Sequence, residues 1–323
     1  MQYFGEVPCH GIYKSGPKKG LQCKGPGYFK NSQNQQTYCG VHCPREYRIQ
    51  LPKHPNRTSN RQRQLQNEKD EAERYAKDNL SRSEKGSVIL RRMKMMQATP
   101  VERGFIKIFP NYNHGSVRDG IGMPSLSPKA MGPVDHGQPG LPVAKCIENY
   151  HQANKVFPRE VDPITQDPLP SWYQKRLEFY HDTVPHRHKF PGAPNAPLYS
   201  IHLDSDGVEK RYGYVDSRKF YCRQYEKLAE TAGTQSNDDL IRLRKLIEDG
   251  WNLQICGYDA YGFPDTGDNV LDHKVAYNDP TSPYGHEKVL HALLVLSPEE
   301  YPWRCPQVTV TKPQKINVTV IKP

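Results

Sequence analysis

The chain has 323 residues, 35% hydrophobic content, 29 prolines and a formal net charge of +10. This length admits one large domain, or one domain with a small module, and the proline load predicts long extended stretches. No run of 18 apolar residues occurs, so the sequence offers no helical membrane span.

The charge is uneven. Residues 1–100 carry 19 Lys/Arg against 8 Asp/Glu, whereas residues 101–323 carry 26 against 27. All of the positive excess therefore lies in the front third. A basic arm of this kind predicts contact with nucleic acid or another polyanion, the alternative being a solvated tail. The stretch Met1-Gln-Tyr-Phe-Gly-Glu6 lacks a basic-then-apolar leader, so an intracellular setting is expected.

Cys9, Cys23, Cys39 and Cys43 crowd into the same front, with His10 and His42 beside two of them. Zinc takes four thiolate or imidazole donors in a tetrahedron, and a loop-rich segment poor in apolar residues needs such a staple. Cys39 and His42 can chelate from one tight turn, and Cys9 and Cys23 supply two further thiolates. Cys43 competes with His42 for the fourth place. The expected cofactor is a structural Zn2+, with no organic cofactor; disulfides compete, but an intracellular setting disfavours them. The pattern Cys…Gly-x-x-Cys…Tyr-Cys-x-x-His resembles small zinc modules of eukaryotic and large DNA virus proteins.

Residues 53–60 read as a linker, and 61–80 as a strong helix former with almost no apolar face, hence exposed and salt-bridged. Val88 to Met96 is short, apolar and basic, suited to docking on the body or on a partner. Phe105-Ile-Lys-Ile-Phe109 predicts a strand, 110–143 a long Gly/Pro loop, and a helix begins near Cys146. Residues 158–200 read as irregular, with His186 and His188 as polar surface. Helices are expected within 211–229 and over 240–247, the second ending at Gly250. A short strand follows at Leu253–Cys256, then a loop, then the most apolar helix, Tyr284 to Leu296. The period-two tail, 308–311 and 316–321, suggests paired strands. Strands and helices mixed without a βαβ rhythm predict an α+β body. The expected division is a zinc module at 1–50, a basic linker with an exposed helix at 51–100, a body at 101–296 and an extended tail at 297–323.

The most informative stretch is Glu148-Asn-Tyr-His-Gln152-Ala-Asn-Lys155-Val-Phe157. On a helix, spacings of four and three put Glu148, Gln152 and Lys155 on one face. Tyr150, Ala153, Val156 and Phe157 fall at other angles and can be buried. Either the polar triplet is a surface ladder, or it turns inward to a ligand. Its neighbours resemble the NADAR superfamily, whose motif Glu-His-Tyr-Tyr-Gln-Ala-x-Lys-Phe matches here at Glu, Tyr, Gln, Ala and Lys. Leu246 to Gly262 looks like the family's second motif, with Tyr261 where tryptophan is expected, and 285–296 like its closing helix. His114 stands near the family's aromatic strand. Whole-chain features also look like uncharacterised proteins of large nucleocytoplasmic DNA viruses.

The resemblance implies cleavage of N-ribosyl or ADP-ribosyl linkages. Such a reaction passes through an oxocarbenium-like centre, which calls for one carboxylate at the sugar or water and a second proton-handling partner. It assigns Glu148 and Asp259 as the catalytic pair, the alternative for Asp259 being a turn residue beside Gly257. Gln152 would orient a ribose hydroxyl, Lys155 would neutralise phosphate, and Tyr258 or Tyr261 would stack on the leaving base. The competing expectation is a non-enzymatic virion protein that keeps the old fold as a docking unit and contacts DNA or capsid partners. The expected location is host cytoplasm or nucleus, or the virion.

Overall fold

The computed structural model describes residues 8–14, 17–25, 27–39, 41–51, 60–94, 97–111, 120–186, 197–230 and 237–304. The predicted tail strands, His114 and His188 lie outside the described residues. The chain divides into two compact units, 1–66 and 67–323.

The first unit carries three short strands, β1 (Phe29–Asn31), β2 (Thr37–Tyr38) and β3 (Arg48–Gln50). They form an antiparallel sheet in the order β2-β1-β3. Its buried side chains are few and small, namely Cys9, Cys23, Cys43, Leu51, Asn31 and Thr37. So little apolar area cannot offset the entropy of ordering a segment of this size without a cross-link.

Helix α1 (Asn60–Ser81) crosses the division between the units. Ion pairs such as Glu73–Lys77 at 3.0 Å line its exposed side, as its composition predicts. One stripe differs from that expectation, because Ala72, Ala76 and Asn79 are buried. Small side chains admit close approach rather than apolar mass: a Cβ on Gly250 would come within 2.5 Å of the Ala76 carbonyl oxygen. Asn79 Nδ2 seals this contact by donating to the Gly250 carbonyl at 2.8 Å.

After α1 come β4 (Val88–Arg92), β5 (Phe105–Phe109), β6 (Ile121–Gly122), α2 (Ile147–Ala153) and β7 (Lys155–Val156). The chain continues through α3 (Pro170–His181), β8 (Tyr199–Leu203), β9 (Glu209–Tyr212), α4 (Arg218–Glu230) and α5 (Asp238–Glu248). It closes with β10 (Asn252–Gly257), α6 (Asn269–Asn278) and α7 (His286–Val295). This is the mixed α+β body that the pattern predicts.

Two sheets organise it. Strands β4, β10, β5 and β6 form a wholly parallel sheet in that order, and β7, β8 and β9 form an antiparallel one. Strand β10 sits between β4 and β5 and is buried at all six positions, as an interior parallel strand must be. The apolar segment at Val88 thus docks on the body, by pairing along β10 with Leu253 opposite Val88. The core gathers Ile108, Leu240, Leu243, Leu253, Ile255, Val289 and Leu290, among others, around this sheet.

Two stretches read as loops contain helices. Helix α3 begins with Pro170 at its first position, where a missing N–H costs nothing, so the proline starts a helix. Helix α6 is capped by Asp268, whose carboxylate accepts from the Val270 and Leu271 N–H groups. Helix α5 does end beside Gly250, whose φ of +83° makes the left-handed stop expected there.

Helices α6 and α7 are joined through a buried relay. Val88 O can only accept, so His291 Nε2 donates to it at 3.1 Å. His291 Nδ1 must then accept from His273 Nε2 at 2.9 Å, and His273 Nδ1 accepts from the Tyr284 hydroxyl at 2.7 Å. Burial holds both imidazoles neutral, with pKa values pushed down to about 4 for His291 and about 2 for His273.

Candidate metal centre and candidate active site

In the first unit, the side chains of Cys9, Cys23, Cys39 and His42 converge, with all four ligand atoms within 4.8 Å of one another. His42 Nδ1 lies 3.1 Å from Cys39 Sγ and 3.5 Å from Cys9 Sγ. A tetrahedral thiolate–imidazole edge around zinc is roughly 3.5 Å, so the donor set fits. Backbone N–H groups support the sulfurs: Gly11 and Cys39 donate to Cys9 Sγ at 3.3 and 3.2 Å, and Gly25 donates to Cys23 Sγ at 3.4 Å. The Gly25 N–H is the chief reason the Cys23 thiol is shifted toward the thiolate, whereas burial pushes Cys9 up. Gly11 is required for the approach, because a Cβ there would lie 2.3 Å from the His42 ring.

Cys43 is a correction to the predicted ligand set. It is buried but stands outside the cluster, and His42 takes the fourth place. In the turn after Cys39, His42 and Cys43 each return a backbone N–H to the Cys39 carbonyl at 3.2 Å, and only His42 directs a donor at the cluster.

In the body, the Glu148 ladder exists. Gln152 Nε2 donates to Glu148 Oε1 at 3.0 Å, and Lys155 Nζ donates to Gln152 Oε1 at 3.5 Å. Lys155 is not on the helix, however; α2 ends at Ala153 and Lys155 opens β7. Tyr150, Ala153, Val156 and Phe157 are buried, as the pattern requires.

Asp259 and Tyr258 follow the carboxyl end of β10 and are exposed. The Asp259 carbonyl accepts from the Tyr261 N–H at 2.9 Å, so the residue does hold a turn. Tyr261 carries the Arg92 guanidinium 4.1 Å from its ring centroid, which covers one ring face. In open sheets with parallel strands, ligands gather outside the strands' carboxyl ends, and Arg92, Pro110 and Asp259 all stand at that edge.

The residue that the motifs did not single out is Glu287, in the first turn of α7 and 1% exposed. Its Oε2 has no hydrogen-bond partner among the described residues. His286 Nδ1 lies 3.2 Å from that oxygen, close enough for charge attraction but without hydrogen-bond alignment. His286 Nε2 donates to Pro110 O at 3.1 Å, so Nδ1 carries a proton only in the imidazolium form. Two glycines admit the carboxylate. A Cβ on Gly257 would meet Glu287 Oε1 at 1.8 Å, and one on Gly285 would meet Glu287 Oε2 at 3.0 Å and Asp259 Oδ2 at 3.8 Å. Glu287 and Asp259 therefore flank the same backbone position.

Lys288 is buried behind them, its ammonium over the Phe263 and Tyr284 rings at 5.6 and 5.9 Å. Burial lowers its pKa to about 8; Arg218 adds to the shift, and Asp279, Asp259 and Glu287 oppose it. Burial first, and then the charges of Tyr225, Glu148 and Glu287, push the pKa of Tyr221 on α4 well up. A separate open cleft of about 870 Å³ lies along α4 and the 296–304 segment, and none of the predicted site residues lines it. Its acids are already paired, Glu230 with Arg244 and Glu226 with Arg304 and Trp303.

No family model, curated protein or solved structure matches the chain. Among the described residues, no helix is long and apolar enough to cross a membrane.

Proposed function

We propose that the body is an N-glycosidase-like hydrolase of N-ribosyl or ADP-ribosyl linkages, joined to a front that binds zinc and a polyanion. The observation that carries the hydrolase reading is the meeting of Asp259 and Glu287 at Gly285, on the carboxyl edge of the parallel sheet. Cleaving an N-riboside needs an acidic group beside the sugar and another group to handle protons, and this edge offers both. In this reading Glu148 on α2 is a further carboxylate, with Gln152 and Lys155 in its ladder to bind ribose hydroxyls and phosphate. Tyr258, half-exposed beside Asp259, offers a ring for the base.

Three thiolates and one imidazole favour zinc among common intracellular metals, with a structural role, since all four positions come from the protein. Bound there, the ion supplies cross-linking and no chemistry. Lys14, Lys18, Lys19, Lys24 and Arg45 are exposed around it, which supports contact with nucleic acid or another polyanion.

The test is incubation of the purified chain with ADP-ribosylated guanosine and with simple N-ribosides, followed by chromatography of the released base. The expected outcome is release that Glu148→Ala and Asp259→Asn abolish while the fold persists. Failure of the wild-type chain to cleave any N-riboside removes the reading. The second reading, a non-enzymatic virion-associated protein contacting DNA or capsid partners, is favoured by the turn role of the exposed Asp259. It predicts no turnover together with stable capsid or genome association.

A further inference from the structure

Glu287 is a buried carboxylate kept beside an exposed one, with one oxygen left unpartnered. An unpaired buried acceptor is costly, and a fold that only needed packing at this position would fill it with an apolar side chain. Three further features bear on what the group does. Glycines at 257 and 285 clear the space around both of its oxygens. His286 stands 3.2 Å from the free oxygen, with its other nitrogen committed to Pro110 O. Asp259 flanks the same backbone position from the solvent side.

Resting on the hydrolase reading, the geometry points to Glu287, with His286, as the proton donor to the leaving nitrogen, and so to bases that cannot depart without a proton as the substrate class. Glu287 delivers the proton through its unpartnered oxygen, and His286, 3.2 Å from that oxygen, stands on the route by which the proton is replaced. In the reaction the C1′–N bond breaks and its electron pair moves to nitrogen, which takes the proton from Glu287. Water forms the new C1′–O bond and passes its proton to Asp259, which releases it to solvent as solvent returns one to Glu287. The net change is addition of water across the glycosidic bond.

This assignment separates substrates by their leaving groups. Purines and exocyclic guanine nitrogens leave as poor anions unless protonated, so they depend on the donor. A 4-nitrophenolate leaves unaided. A positioned general acid contributes about 10²-fold or more.

The experiment compares kcat of wild type and Glu287→Gln on a purine N-riboside, on ADP-ribosylated guanosine and on 4-nitrophenyl riboside. Thermal unfolding of each variant checks the fold. The expected result is a kcat loss on the nitrogen-linked substrates at least about 100-fold larger than on the nitrophenyl riboside. Glu287→Asp, which keeps the charge but retracts it by one methylene, should fall between the two and provides the answer if the glutamine variant does not fold. Equal losses on both leaving-group classes, or no loss on either, overturn the donor role while leaving the hydrolase reading intact. Absence of wild-type turnover on every substrate overturns both.

Discussion

The two units achieve order by different means. The first buries three cysteines and one leucine among its apolar residues, and four metal-type donors converge within it. The second buries a continuous apolar cluster around a parallel sheet whose middle strand is covered at every position. A small unit with little area to bury must draw its stability from a cross-link, whereas a large one draws it from burial. The comparison also shows where chemistry can sit. Four protein donors would fill the coordination of a metal ion held there, leaving no position for a substrate. The body leaves a carboxylate oxygen unpartnered at its sheet edge.

The strongest way to break this contrast is to take from the four donors the metal proposed to join them. Chelation, or Cys23→Ser, should unfold the first unit, since structural zinc contributes on the order of 10 kcal/mol in small modules. Gly11→Ala should act similarly, because its Cβ would overlap the His42 ring. Proteolysis mapped by mass spectrometry should show cleavage within 8–51 and no change in the body. Loss of the body alongside would refute the separation.

The converse test is a core deletion in the body. Leu290→Ala removes a fully buried side chain and should cost about 2–5 kcal/mol, read by denaturant unfolding. Metal content, measured on the same sample, should stay at the wild-type ratio. A drop in metal content would show that the two units do not stand separately.

A subtler difference lies in pH. His291 is buried with its pKa lowered from the usual value of about 6.5 to about 4, and His273 is lowered further. The unfolded chain therefore takes up protons first as the pH falls. The body's stability should be full above about pH 6.5 and decline as the pH drops toward 4, by roughly 3 kcal/mol for His291 alone. Unfolding midpoints between pH 7 and pH 4 provide the check. His291→Gln should flatten the decline, and an unchanged slope would contradict the relay.

Much of this was legible in the sequence. Cysteine spacing pointed to the cluster, since thiolates in a segment without apolar mass have few other uses. Periodicity located β5, α5, β10 and α7, whose apolar residues face one core. The Glu148 ladder followed from spacing, although Lys155 meets Gln152 from a strand rather than from the same helix. Helices α3 and α6 were hidden by proline-rich surroundings, where Pro170 and Asp268 initiate rather than break structure. The pairing of β4 with β10 joins residues 165 positions apart, and no local pattern encodes that. Glu287 was missed for a related reason. Within an apolar helix it reads as an ordinary first-turn acid suited to the helix dipole. Its meaning comes from Gly257, Gly285 and Asp259, which only the fold brings beside it.

The proposed ribosyl group binds at the carboxyl edge of the parallel sheet, between Asp259, just after β10, and Glu287 of α7. A crystal structure of the full chain with ADP-ribose tests it most directly. Density for the ribose is expected within hydrogen-bonding reach of Asp259 and Glu287, with the anomeric carbon facing the Glu287 carboxylate. Density confined to the cleft along α4, or no bound ligand at millimolar ADP-ribose, would contradict it.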